Sequence, residues 1–171
     1  MRVKIICYTL LIFIMTLLQS TVLESVSIYN VKPNLLMVLI VIAAFQGNNI
    51  EGAVVGFFSG LVHDMVSGRL LGFYALLGLY LGFCIGSVNK RLYKENVFIA
   101  IFFTFISTII YEYCVFLLSW VFKGGVDFIY PLRYIILPEA LYNSFVSIFI
   151  FIIVIKINKW SEKSKDLKRR Y

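Results

Sequence analysis

The sequence predicts an all-α membrane protein, a six-transmembrane-helix bundle with both termini cytoplasmic. Three observations predict it. Hydrophobic residues make up 61% of the 171-residue chain, and mean hydropathy is +0.91; a soluble domain is closer to half apolar. Charged residues are only 15% and gather between long apolar runs, the layout of a chain that crosses a bilayer repeatedly. The apolar runs are continuous and do not alternate, which selects helices over a closed barrel.

Six spans follow in order. The first, Val3 to Val22, opens with basic residues as a signal peptide does. It lacks a small-residue cleavage site and is long enough to span, so it reads as an uncleaved helix. The second runs from Asn34 to Gln46 and the third from Gly52 to Val66. Both fall short of the roughly 20 residues of a comfortable crossing, so they use polar ends, thin the bilayer or form a re-entrant pair. The fourth is Leu70 to Val88, the fifth Val97 to Phe122 and the sixth Pro138 to Ile157. Residues 1–157 thus form one transmembrane domain, and 158–171 a basic cytoplasmic tail.

Charge gives the orientation. With both termini inside, the inner face holds Arg2, Lys4, Lys90, Arg91, Lys94 and the seven basic residues from Lys156 to Arg170. The outer face holds only Lys32, Arg69, Lys123 and Arg133, as the positive-inside rule requires. Trp120, Tyr130, Tyr134 and Trp160 fall near helix ends, where interfacial anchors belong. The net charge of +7 comes mostly from the tail. A basic segment beside a helix is drawn to anionic lipid; a protein partner is the second reading, and no nucleic-acid motif is present. Cys7, Cys84 and Cys114 form no C-x-x-C pair and read as small buried hydrophobes. The sequence calls for no metal and no cofactor.

Two constellations stand out. Gly52, Gly56 and Gly60 recur every four residues in the third span, with Asp64 and Gly68 continuing the series; Gly78, Gly82 and Gly86 repeat it in the fourth. Small residues four apart let helices approach closely. The two spans can pack on each other, or the groove can hold a helix of another subunit. Ser59, His63 and Asp64 suggest a hydrolase. Helical geometry argues against it: neighbours such as His63 and Asp64 point about 100° apart, and no oxyanion motif accompanies Ser59. The second constellation is polar. Glu112 lies deep in the fifth span with Thr104, Ser107 and Thr108 on nearby turns; Glu139, Asn143 and Ser147 recur every four residues on the sixth. Intramembrane acids are functional candidates by default. Glu139 beside Pro138 also suits a helix N-terminus. The two stripes either satisfy each other inside the bundle or line a small polar cavity.

Several segments now matter together: "LQST" at Leu18 to Thr21, "KPNLL" at Lys32 to Leu36, and "GFFSGLVHDMVSGRLLGFYAL" at Gly56 to Leu76. In this order, and with the six-helix layout, the chain resembles the rod shape-determining MreD family. Pro33, Asn34, Gly56, Gly60, Asp64 and Gly72 match the family pattern; a histidine before Asp64 does not belong to it. The resemblance implies a non-enzymatic subunit of the bacterial cell-elongation machinery in the cytoplasmic membrane. It implies binding to MreC and work alongside the MreB filament system, RodA and its penicillin-binding transpeptidase. It also implies a fold like the substrate-binding S-components of energy-coupling-factor transporters, which makes such a subunit the alternative function. Against that alternative, the first helix has no paired alanines or glycines for a transporter partner, and the outer loops are short. Among the matching residues, Pro33 and Asn34 suit a helix start, and Asp64 is placed to accept hydrogen bonds from Arg69 or from a partner.

Overall fold

The computed structural model describes residues 2–25, 31–68, 71–88, 94–123 and 132–169; the side chains of 2–3, 22–25, 119–123 and 162–169 lie outside that description. The described chain is all-helical. Its elements are α1 (Arg2–Ser25), α2 (Leu35–Gln46), α3 (Asn49–Ser67), α4 (Phe73–Val88), α5 (Val97–Lys123), and a π-helical segment (Leu132–Ile136) that runs directly into α6 (Leu137–Arg169). Three stretches are long and apolar enough to cross a membrane: Lys4–Thr21, Val97–Leu118 and Leu132–Ser161. Helices α2 and α4 are apolar but shorter.

Helix α2 is the centre of the bundle and touches all five other helices. Every residue from Leu35 to Phe45 is buried, which is why the segment is apolar all round rather than on one face. Twelve residues make a helix of about 18 Å, well short of the hydrocarbon thickness of about 30 Å. A side chain caps one end and a backbone turn closes the other. The Asn34 side chain accepts from the Met37 amide at 3.1 Å. At the other end the Gly47 amide donates to the Ala43 carbonyl at 2.8 Å.

Helices α3 and α4 form an antiparallel hairpin held by glycines. Gly52 faces Gly82, Gly56 faces Gly78, and Gly60 faces Tyr74 and Ala75. A Cβ on Gly52 would lie 2.5 Å from the Gly82 carbonyl oxygen and 2.6 Å from the Ala44 Cβ. A Cβ on Gly56 would collide with the Gly78 carbonyl. Gly86 closes the series against Asn48 and Asn49. The hairpin fills this face itself, so a helix of another subunit has no groove there. Gly68, at φ +61°, ends α3 in the left-handed conformation that glycine adopts freely.

The last helix departs from the sequence expectation at both ends. It begins at Leu132 and continues to Arg169, not Pro138 to Ile157. Pro138 has no amide to give a carbonyl one turn back, and its ring crowds that carbonyl; the chain widens into a π segment just before it. The tail after Ile157 continues as helix. Cys84 is exposed and Cys7 and Cys114 are half-buried, so the cysteines are not core residues. A bundle surface that meets lipid accepts a thiol as readily as any small apolar group. Arg69, Lys90, Arg91 and Tyr130 fall outside the described residues, as do the side chains of Trp120 and Lys123. Tyr134 and Trp160, near the two ends of the last apolar stretch, are exposed.

Candidate functional site

A cavity of about 210 Å³ opens at the end of the bundle where α1 gives way to α2. The α1–α2 linker supplies Lys32, Pro33 and Asn34, and α1 supplies Gln19. His63 comes from α3, Tyr74 from α4, Glu112 from α5 and Glu139 from α6. Polar residues from five helices and a linker therefore converge on one small space.

The two acids face each other. The Glu139 carboxyl lies within hydrogen-bonding reach of the Glu112 and Asn143 side chains. Two carboxyl groups share a hydrogen bond only when one keeps its proton to donate. Glu139 lies in the first turn of α6, as its place beside Pro138 implied, but a π segment precedes it, so the helix end is not free. Glu112 is not isolated along its span: it lines the cavity together with the linker residues.

Behind the acids lies a buried network. Asn143 Oδ1 accepts the Asn34 backbone amide at 2.8 Å. Its Nδ2 donates to the Thr108 hydroxyl at 3.3 Å. Thr108 Oγ1 in turn donates to the Thr104 carbonyl at 2.8 Å. Asn34, Thr104, Thr108, Asn143 and Ser147 are all buried. The start of α2 is thereby tied to α5 and α6 through one amide side chain, and a buried donor or acceptor without a partner costs roughly 1–3 kcal/mol.

Asp64 and His63 part company, as one residue of helix offset dictates. The Asp64 carboxylate is buried and clasps the start of α4. Its Oδ2 accepts from the Gly72 amide at 2.9 Å and from the Ala75 amide at 3.1 Å; Oδ1 accepts from the Tyr74 amide at 2.9 Å. The first amides of a helix lack intrahelical acceptors, and the helix dipole favours an anion there. Among the described residues its partner is the start of the helix that follows; Arg69 lies outside them. The His63 ring lies flat on the Tyr74 ring, with centroids 4.3 Å apart and planes 8° from parallel. Ser59 is fully buried, and its hydroxyl finds no hydrogen-bond partner among the described residues. No nucleophile–base pair is assembled from these three.

The opposite end of the bundle is basic. Lys4 pairs with Glu51 at 2.6 Å, Lys159 with Glu95 at 3.5 Å, and Lys94 donates to the Gly47 carbonyl at 2.6 Å. The last contact puts a cation on the negative end of α2. Asn158 Nδ2 donates to Gln46 Oε1 at 3.1 Å. The two ends differ in kind, with an acid-lined cavity at one and ammonium groups at the other.

The model of the rod shape-determining protein MreD family matches residues 1–160. The chain belongs to the MreD family. No curated protein and no solved structure matches it. The match extends through α5 and α6, which carry Glu112, Asn143 and Glu139, so the acid pair and its network sit inside the MreD segment. Sequence reading missed Gln19, Lys32 and Tyr74 as cavity residues. Gln19 had a usable signal, a long polar side chain inside an apolar span. Tyr74 had none, because its place depends on the register of the α3–α4 hairpin.

Proposed function

We propose that the chain is a non-enzymatic scaffold subunit of the cell-elongation machinery, spanning the bacterial plasma membrane six times with the cavity facing outward. In this reading it binds MreC and works with the MreB filament system, RodA and its penicillin-binding transpeptidase. The observation that carries the proposal is the family match over residues 1–160. Site chemistry supports it: the Asp64 carboxylate is committed to three backbone amides, and Ser59 makes no bond to His63. The basic end suits the inner face, where anionic lipid adds about 1 kcal/mol per nearby Lys or Arg.

A substrate-binding transporter subunit is the second reading, and the cavity is what favours it. Its volume of about 210 Å³ is below the roughly 300–1,000 Å³ of pockets that bury small-molecule ligands. A vitamin-sized solute does not fit without rearrangement. Affinity purification of the full chain from membranes separates the two. Recovery of MreC and wall synthases supports the scaffold; recovery of a transporter ATPase with no wall-synthesis protein overturns it.

A further inference from the structure

The geometry points to the Glu112–Glu139 pair as a proton-held latch: it joins α5 to α6 across the cavity, and loss of its proton opens the cavity wall. The inference does not depend on which partner the protein binds. It starts from placement. The two carboxyls come from different helices, line the same cavity, and lie within hydrogen-bonding reach of each other.

The proton step is simple. With one proton shared, the pair is a single O–H···O bridge with one negative charge. When that proton passes to water in the cavity, the bridge is gone and two carboxylates repel at hydrogen-bond range. The remaining ionisable groups facing the pair are few. Asp64 on α3 is held by three amides. His63 is stacked against Tyr74, and Tyr111 on α5 is a buried phenol. Lys32 in the linker is the lysine among the described residues that line the cavity, one positive charge against two carboxyls.

The motion has a defined path. Asn143, four residues beyond Glu139 on the same helix, bonds Thr108 on α5 and the Asn34 amide at the start of α2. Parting α5 from α6 at this level pulls on the linker that carries Val31 and Lys32. Val31 is buried and lines the cavity, so it reports the opening.

The test uses the full chain in lipid nanodiscs with Cys7→Ala, Cys84→Ala and Cys114→Ala, and with Val31→Cys as the reporter. Its rate of reaction with a charged methanethiosulfonate is followed between about pH 5 and about pH 9. The same reporter is measured with Glu139→Gln, whose amide donates to Glu112 without a titrating proton. The expected result is a native-to-variant rate ratio that climbs about tenfold with pH, a population shift toward the open state. Taking the ratio cancels the rising thiolate fraction of the reporter. A ratio that stays flat overturns the latch. Should Glu139→Gln lose its cooperative melt, two measurements stand in. Glu112→Gln makes the same comparison, and the native chain's Val31→Cys rate is divided by that of the exposed Leu71→Cys. A flat result in either overturns the proposal.

Discussion

Asp64 shows how a residue with the look of a catalytic group serves the fold. Two carboxylate oxygens serve three amides at the start of the following helix, and the side chain is buried. Hydrogen bonds to a charged group contribute roughly 1.5–3 kcal/mol each and are not additive. Asp64→Ala is expected to destabilise the protein by about 3 kcal/mol in total, read as thermal unfolding in nanodiscs. Asp64→Asn falls between, because its amide nitrogen meets an amide donor where an acceptor is needed. His63→Phe keeps a flat ring on Tyr74 and is expected to change stability by less than about 1 kcal/mol. A large loss for His63→Phe with a small one for Asp64→Ala contradicts these assignments. The sequence placed Asp64 at the end of the glycine series, yet its partner was not legible. Gly72, Tyr74 and Ala75 reach it only after the chain has turned through Gly68, and a turn's path depends on the two helices it joins.

At the scale of the element, the hairpin of α3 and α4 is the clearest case of spacing becoming structure. The four-residue glycine series was legible because helices that touch backbone to backbone exclude any Cβ from the seam. Two glycines nearby test two separate mechanisms. A methyl on Gly56 has no space, since the facing backbone of Gly78 is in the way. A methyl on Gly68 meets nothing within 4 Å but strains a backbone at φ +61°. Gly56→Ala is expected to cost at least about 3 kcal/mol, at the upper end for overpacking, and Gly68→Ala about 1 kcal/mol. Denaturation of the purified variants ranks them, and the reverse order contradicts the packing account. The π segment before Pro138 was not legible: a proline marks a helix disturbance, but whether the chain stops or widens depends on what packs around it. For the same reason the Glu112–Glu139 contact was beyond the sequence. Helical spacing put each acid on a polar stripe; only packing of α5 against α6 sets the two at one level.

For the whole molecule, the uneven ends give a direct test of orientation and of the crossing by α4. Leu71 sits exposed in the hairpin turn at the cavity end, and Lys94 at the basic end. With the native cysteines replaced by alanine, Leu71→Cys is expected to react with an impermeant thiol reagent from outside intact cells. Lys94→Cys is expected to react only after the membrane is opened. The opposite pattern overturns the outward cavity, and equal protection of both thiols overturns the crossing by α4. The six helices were legible from apolar runs, because each run is bounded by charge or glycine. The central place of α2 was signalled only by its being short and apolar on every side. That helix also bears on how the protein is made. A segment of about 18 Å cannot hold itself across the bilayer by partition alone, so a nascent chain that has emerged only through α2 has not yet secured it. The last two helices follow the hairpin in the chain, and α2 keeps its place only once they close round it. Correct insertion is therefore a late event, completed near the end of synthesis, and a chain ending at Val88 is expected to show Leu71→Cys outside in only a fraction of molecules.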